Sequence, residues 1–282
     1  MTMISSAKAQ YERDGYVLFP NVLDADLIQE ASDHVAWLQK QHPELRPENL
    51  GHFLMTDDPF WVRLISDDRL LDIAEQFIGP NIALFASHYI SKPPYEGQPV
   101  LWHQDGSYWP LDPMEVTTLW LAVDDSDAEN GCMRVLPGTH TTELQAMKPR
   151  TDVANVLSSG IDESFVDESK AVDFVLKAGG VSVHHPNIIH GSNANNSPRR
   201  RCGLTIRYIP TSTRITFNAK RPQESYVTPE GRWPSAFLLR GEAVPGINDY
   251  NPWPKYVEGK HMPFRGCEQW NEKAAQRNAS SG

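Results

Sequence analysis

Residues 201–209 read Arg-Cys-Gly-Leu-Thr-Ile-Arg-Tyr-Ile, a run in which polar or small side chains alternate with apolar ones. Successive side chains of a β-strand point to opposite faces. The first predicted face of this strand contains Arg201, Gly203, Thr205 and Arg207. The second contains Cys202, Leu204, Ile206 and Tyr208. The alternation therefore predicts a strand with one apolar face and one polar face that carries two guanidinium groups.

Seven other short runs have a similar strand-like composition. They are rich in β-branched and aromatic residues, and clusters of Gly, Pro, Asn and Asp separate them, which is typical of antiparallel sheets. The predicted strands are 82–91, 98–104, 116–124, 132–136, 172–176, 180–185, 187–191 and 201–209. Eight such strands indicate a mainly β fold, a double-sheet jelly roll of the double-stranded β-helix or cupin-like type.

The first 80 residues predict a helical layer on this roll. Apolar residues at helical spacing predict helices over 24–41 and 66–78. Asp24 or Asp26 is expected to cap the first, and Gly79-Pro80 to end the second. The short apolar run Tyr16–Phe19, between a glycine and a proline, predicts a strand.

We expect one domain over residues 1–282. Its parts are a helical layer over about 1–80, a β-roll over about 81–210 and a Pro- and Trp-rich C-terminal extension over about 211–282. The extension includes Trp233-Pro234 and Trp253-Pro254, and we expect its last residues to fray. The polar segment 141–170 is too long for an ordinary connection. We predict that it is a lid over the open end of the roll.

Composition excludes several classes of partner. The 36 acidic and 26 basic residues give a formal net charge of -10, so we expect no nucleic-acid partner. No stretch approaches about 18 consecutive apolar residues, so we expect no membrane span. The three cysteines are Cys132, Cys202 and Cys267; they are widely spaced and indicate a reducing compartment, so we expect a cytoplasmic protein. The sequence predicts no oligomeric state.

The motif Trp102-His103-Gln104-Asp105-Gly106 carries the main chemical signal. Residues i and i+2 of a strand share a face, so His103 and Asp105 are expected to project together while Gln104 points away. His190, at the end of an apolar run, is the expected third ligand. Two imidazoles and one carboxylate form the facial triad of non-haem Fe(II) oxygenases. His184 and His185 are competing third ligands on this argument.

Arg201 adds a second signal, because it lies eleven residues beyond His190 at the start of the returning strand. Its planar guanidinium suits bidentate pairing with a carboxylate. At these positions the chain resembles the phytanoyl-CoA dioxygenase family of Fe(II)/2-oxoglutarate-dependent oxygenases, over about residues 11–210. The motifs that carry the resemblance are 12–17, 91–94, 102–105, 118–125, 129–140, 190–192, 196–197 and 200–201.

The resemblance implies a ligand set and a reaction. It implies Fe(II) at His103, Asp105 and His190, and the distal carboxylate of 2-oxoglutarate at Arg201 with Ser192. It also places Lys92 and Trp120 in the cosubstrate pocket. The implied enzyme is a dioxygenase that uses O2 to hydroxylate a small-molecule substrate. A carboxylate at position 105 favours oxidation over the halogenation of related enzymes.

The substrate is less defined. Arg207, Gln104 and Trp109 are tentative substrate residues, and Lys92 with Arg207 favours a substrate that carries a carboxylate or a phosphonate. Two other function classes stay open: a metal-holding jelly roll that binds or senses without turnover, and a hydrolase that uses the same ligands for zinc. Arg201 distinguishes them, because neither alternative requires a buried guanidinium beside the ligands.

Overall fold

The computed structural model describes residues 3–107, 109–216 and 236–280. Its α-helices are α1 (Met3–Asp14), α2 (Ala25–Gln41), α3 (Pro59–Ile65), α4 (Asp68–Ile78) and α5 (Cys267–Ser280). Its strands are β1 (Tyr16–Phe19), β2 (Ile82–Lys92), β3 (Val100–His103), β4 (Leu111–Asp112), β5 (Thr117–Ala122), β6 (Met133–Val135), β7 (Lys148–Pro149), β8 (Ser159–Gly160), β9 (Val172–Asp173), β10 (Val181–His184), β11 (His190–Ser192), β12 (Arg201–Pro210), β13 (Arg214–Ile215) and β14 (Phe237–Arg240). Among the described helices, none is both long and apolar enough to cross a membrane.

Two antiparallel sheets form the body of the described chain. The larger sheet has the strand order β1-β10-β5-β12-β2-β14, and the smaller has the order β3-β11-β6-β9. Neighbouring strands are mostly distant in sequence, as the crossovers of a jelly roll require. Strand β12 lies inside the larger sheet between β2 and β5. The predicted mainly β jelly roll is confirmed.

The predicted strands are present; most are shorter than predicted, and one is shifted. The run predicted at 187–191 begins pairing only at His190, because residues after Pro186 form a turn in which the Ile188 amide donates to the carbonyl of His185. The run predicted at 172–176 pairs only over Val172–Asp173. The alternation in β12 is confirmed: its apolar face packs into the core shared with α2, α3 and α4.

The two predicted helices are confirmed with their caps. Asp24 accepts from the Leu27 amide at the start of α2, and Asp67 accepts from the Arg69 amide at the start of α4. Gly79 ends α4 with φ of 80°, which favours glycine. Helices α1 and α3 are additions to the sequence prediction.

The expected fraying of the C-terminal residues is wrong for the described part of the extension. Residues 267–280 form α5, and Trp270 of this helix stacks on Trp253 with ring centroids 5.5 Å apart. Both rings belong to the core that covers the outer face of the larger sheet. Burial of these aromatic rings supplies the stabilisation that a frayed end lacks. Trp233-Pro234 lies outside the described residues.

Candidate metal centre

Three predicted ligands come together between the two sheets. One ligand atom from each of His103, Asp105 and His190 lies within 4.8 Å of the others, and all three side chains are buried. His103 ends β3 and His190 begins β11, and the two residues are paired in register with ring centroids 4.0 Å apart. Strand pairing therefore brings together residues that are far apart in the sequence.

Asp105 reaches the site by a different route from the predicted one. It does not continue β3 but begins the 3-10 turn Asp105–Ser107. The Gly106 amide holds this turn by donating to the carbonyl of Pro186 at 2.8 Å. The turn, and not strand alternation, aims the carboxylate at the two histidines.

The hydrogen bonds of the two histidines set their tautomers. Nδ1 of His103 lies 2.8 Å from the Leu101 carbonyl oxygen, and Nδ1 of His190 lies 3.0 Å from that of Ile188. A carbonyl only accepts, so Nδ1 carries the proton and the lone pair is on Nε2. Burial holds the pKa of His190 well below its usual value. His190 is thus a neutral nitrogen donor, the form that binds a metal ion.

The two competing histidines occupy different places. His184 lines the same cavity, where its Nε2 lies 4.0 Å from Oδ2 of Asp105 and its ring centroid lies 4.9 Å from that of His190. His184 does not contribute an atom to the cluster of three ligand atoms. His185 faces a separate surface depression beside Tyr11. Spacing and geometry therefore favour His190 as the third ligand.

Arg201 lies on the cavity wall and stacks on Trp120, with its guanidinium carbon 4.6 Å from the ring centroid. The stacking is possible because Gly203, opposite the ring, has no side chain; a Cβ there would overlap the indole. Nε of Arg201 has no hydrogen-bond partner, and among the described residues no carboxylate pairs with the guanidinium. Burial lowers the pKa of Arg201 to about 10. A buried cation of this kind suits an anionic ligand.

Lys92 is next to this wall but does not face the cavity. Its Nζ donates to Oγ of Ser192 at 2.7 Å and to the carbonyl of Asn193. Ser192 itself lines the cavity. These two hydrogen bonds orient Ser192 and hold Nζ of Lys92 away from the cavity.

Arg207 lies on the same face of β12 but has a different environment. Its Nη1 lies 3.0 Å from Nδ1 of His88 and 3.1 Å from Oγ1 of Thr205, and its Nη2 lies 3.6 Å from Oδ2 of Asp105. Its guanidinium carbon lies 4.9 Å from the ring centroid of Trp109. The Trp109 ring therefore packs against the guanidinium of Arg207. Trp109 is not among the described residues that line the cavity.

Gln104, predicted as a tentative substrate residue, is buried beside the cavity. Its amide nitrogen donates to the Asn187 carbonyl at 2.8 Å, and its amide oxygen accepts from the Gln145 amide at 2.8 Å. Both ends are therefore occupied by backbone groups, and Gln104 is not among the described lining residues. The tentative substrate role of Gln104 stays a prediction, and its side chain points away from the three clustered ligands, as expected.

Segment 141–170 lies along β3 on the cavity side. The Val156 amide donates to the Pro99 carbonyl, and the Ile161 amide donates to the Trp102 carbonyl. Leu157, between these bonds, lines the cavity. The segment also contains the strand pair β7-β8, which its polar sequence did not predict. Its closing as a lid stays a prediction.

The cavity has a volume of about 60 Å³ and lies between the two sheets. Its described lining combines the ligands, the two arginines and an apolar remainder. The lining residues are His88, Ile90, Val100, His103, Asp105, Trp120, Met133, Leu157, His184, His190, Gly191, Ser192, Arg201, Thr205 and Arg207.

Comparison with known proteins places this site in a family. The model of the family described as "Phytanoyl-CoA dioxygenase (PhyH)" matches residues 11–203, a range that contains all three clustered ligands and Arg201. The chain belongs to the phytanoyl-CoA dioxygenase family. The match ends before Thr205 and Arg207, so the second half of β12 lies outside it.

Similarity to individual proteins extends this finding. The chain is 31% identical over 147 residues to a probable alpha-ketoglutarate-dependent hypophosphite dioxygenase of Stutzerimonas stutzeri, covering 51% of each chain. It is 25% identical over 271 residues to an ectoine dioxygenase of Sphingopyxis alaskensis, covering 84% of this chain and 86% of the relative. The non-heme monooxygenase ThoJ in its apo form has the same fold, with a TM-score of 0.70 at 21% identity over 96% and 95% of the two chains.

His88 and Leu157 are two of the cavity residues that sequence reasoning did not assign to the site. His88 shares a face of β2 with Ile90 and Lys92, so the alternation argument used for β12 would have found it. Leu157 belongs to a segment without periodicity, and no sequence signal indicates its position.

Proposed function

We propose that this chain is an Fe(II)- and 2-oxoglutarate-dependent dioxygenase that hydroxylates a small-molecule substrate. The observation that carries the proposal is a single buried cavity with two kinds of wall. One wall has the clustered donors of His103, Asp105 and His190, and the other has the unpaired guanidinium of Arg201. A metal ion and a carboxylate-bearing cosubstrate are the ligands that these two walls suit together.

The residues present fit both groups. The Nε2 lone pairs of His103 and His190 and the carboxylate of Asp105 would hold Fe(II) from one side and leave its other side open. Arg201 and Ser192 would bind the distal carboxylate of 2-oxoglutarate, beside Trp120. When bound, Fe(II) and 2-oxoglutarate supply the oxidation of an unreactive C–H bond by O2, with succinate and carbon dioxide formed from the cosubstrate.

The chain itself contributes orientation and the exclusion of water. The Nδ1–H bonds of His103 and His190 fix both rings, and Lys92 fixes Ser192. Apolar side chains close the remainder of the cavity, which protects a reactive site from water and from side reactions. Segment 141–170 is proposed to complete this closure by ordering Leu157 over bound ligands.

The two alternatives lack a use for Arg201. A zinc hydrolase needs three ligands and a water, and a binding or sensing module needs only the metal. Neither requires a buried guanidinium without a protein counter-charge, which is costly to keep. The carboxylate of Asp105 also leaves no small residue at the position where halogenases, by the family resemblance, make room for a halide.

Small-molecule chemistry is supported by the relatives, whose names refer to hypophosphite and ectoine. The cytoplasmic location stays a prediction and is supported by three free cysteines. The division into one domain with a C-terminal extension also stays a prediction; it is supported by the core that α5 shares with α2, α3 and α4.

The test is succinate release from 2-oxoglutarate by the purified chain with Fe(II) and O2, alone and with a panel of small organic acids. His190→Ala should lose iron and activity. His185→Ala is the matched control, because it removes a neighbouring histidine that faces a different depression. Succinate release by His190→Ala at the rate of the unmodified protein, or no release by the unmodified protein with any candidate, contradicts the proposal.

A further inference from the structure

We propose that Arg207 and His184 form the subsite that binds an oxyanion of the primary substrate, so that the substrate is a small organic anion. The inference rests on the proposed function, because it assigns the second half of the same cavity. Arg207 and His184 lie near the same oxygen of Asp105, at 3.6 and 4.0 Å from Oδ2. The oxyanion would therefore lie beside the metal ligands and away from Arg201.

The side chain of Arg207 is fixed in place but not saturated. His88 and Thr205 hold Nη1, and the face of Trp109 supports the guanidinium plane. Nε has no hydrogen-bond partner, and the distance from Nη2 to Asp105 is longer than a hydrogen bond. A pre-oriented guanidinium with unused donors is suited to an incoming oxyanion.

His184 adds an unused polar group on the other side of Asp105. It is buried, and its Nδ1 has no hydrogen-bond partner. Oδ2 of Asp105, between His184 and Arg207, also lacks a hydrogen-bond partner. Buried polar atoms are normally paired, so unpaired atoms on His184 and Arg207, which both line the cavity, indicate a ligand position.

Charge balance gives the sign of that ligand. Among the described lining residues, Arg201 and Arg207 are the permanent cations and Asp105 is the carboxylate. Fe(II) and the 2-oxoglutarate dianion cancel each other's formal charge, so one positive charge stays in excess after both bind. An uncompensated charge in a buried cavity is costly, and an anionic group on the substrate would neutralise it.

Arg207 is also the cation best placed for specificity. Lys92, the other candidate, uses its ammonium group on Ser192 and Asn193. Arg207 lies beyond the end of the family match at residue 203. A substrate-selecting residue is expected outside the part of the chain that binds the shared cosubstrate.

The experiment is a tryptophan fluorescence titration, because Trp109 contacts Arg207 and should report binding there. The protein is loaded with Fe(II) and saturating 2-oxoglutarate, and O2 is excluded. The probes are two matched pairs: propionate with propionamide, and methylphosphonate with dimethyl methylphosphonate. The pairs separate charge from shape and distinguish a carboxylate from a phosphonate. The variants are Arg207→Gln, Arg207→Lys and, as a surface control, Arg199→Gln, which removes an exposed guanidinium paired with Asp127.

We expect at least one anion to bind the unmodified protein and Arg199→Gln with an affinity about 10-fold or more above that of its neutral partner. Arg207→Gln should lose this preference, and Arg207→Lys should recover part of it. Equal affinity for anion and neutral partner in the unmodified protein overturns the inference without any variant. A preference that survives Arg207→Gln, or no saturation by either anion up to about 50 mM, also overturns it.

The failure of the proposed function has a separate readout. Iron content and bound 2-oxoglutarate are measured on each sample by metal analysis and dialysis. An unmodified protein that holds neither contradicts the dioxygenase proposal. The same titration on that protein still decides whether Arg207 prefers an anion.

Discussion

Arg201 and Arg207 lie on one face of the same strand, yet their charged surroundings differ. Both guanidinium groups are buried, with 2% and 7% of the residue exposed, and each stacks on a tryptophan. Arg207 has Asp105 as a counter-charge at 3.6 Å, whereas Arg201 has no carboxylate partner among the described residues. The difference separates a guanidinium that only a ligand can neutralise from one that already has a protein carboxylate beside it.

The largest effect is expected from Asp105→Asn, which removes the carboxylate that lies near Arg207 and not near Arg201. Loss of the only carboxylate in the ligand cluster should lower iron content and reduce succinate release on the order of 10³-fold or more. Asp125→Asn, at an exposed carboxylate paired with Lys177, is the control. Full iron content in Asp105→Asn would show that this carboxylate is not a metal ligand.

The second prediction is that replacing Arg207 and replacing Arg201 have different effects on the free energy of unfolding of the metal-free protein. Arg207→Met leaves Asp105 buried without its cation and should lower the free energy of unfolding by about 3 kcal/mol. Arg201→Met removes a buried cation that lacks a counter-charge and should leave stability unchanged or raise it by about 1 kcal/mol. Denaturant unfolding at pH 7 measures both. Destabilisation by Arg201→Met as large as that by Arg207→Met would remove the distinction.

The sequence predicted this face well because strand alternation is a local rule. The pattern of 201–209 placed Arg201, Thr205 and Arg207 on one face, and all three line the cavity. The same rule failed at Asp105, which lies in a turn held by Pro186, a residue distant in sequence. It also could not find Leu157 or the occupied amide of Gln104, because these depend on how a segment without periodicity packs on β3.

The third prediction concerns segment 141–170, which contains Leu157. Leu157 lines the same cavity as the two arginines. Gln104→Leu removes the side-chain bonds to Asn187 and Gln145, each worth about 1 kcal/mol, so opening of 141–170 should become easier. Limited proteolysis within this segment should be about 5-fold to 10-fold faster than in the unmodified protein. Gln145→Ala is the control, because it keeps the backbone amide that Gln104 binds.

The same digestion tests the lid. Cleavage of the unmodified protein within 141–170 should slow when Fe(II), 2-oxoglutarate and a substrate are all bound, because a lid closes on the bound state. Equal cleavage with and without these ligands would contradict the lid prediction.

The last prediction concerns the reactivity of a cysteine on the apolar face of β12, where we expect the smallest effect. Burial raises the pKa of the Cys202 thiol to about 12, and that of Cys132 to about 11. At pH 8 both thiols are therefore neutral, and alkylation should be slow relative to that of the less buried Cys267. Mass spectrometry after iodoacetamide treatment measures each site. Rapid alkylation of Cys202 at pH 8 would show that the apolar face is open to solvent.

The most direct test of the division between the two arginines is 2-oxoglutarate binding, measured by equilibrium dialysis with Fe(II) present and O2 excluded. Arg201→Ala should weaken binding by about 3 to 5 kcal/mol, because the distal carboxylate loses its partner in a buried site. Arg207→Gln should bind 2-oxoglutarate within about 3-fold of the unmodified protein, a difference below 1 kcal/mol. Unchanged affinity in Arg201→Ala, or an equal loss in both variants, would contradict the account.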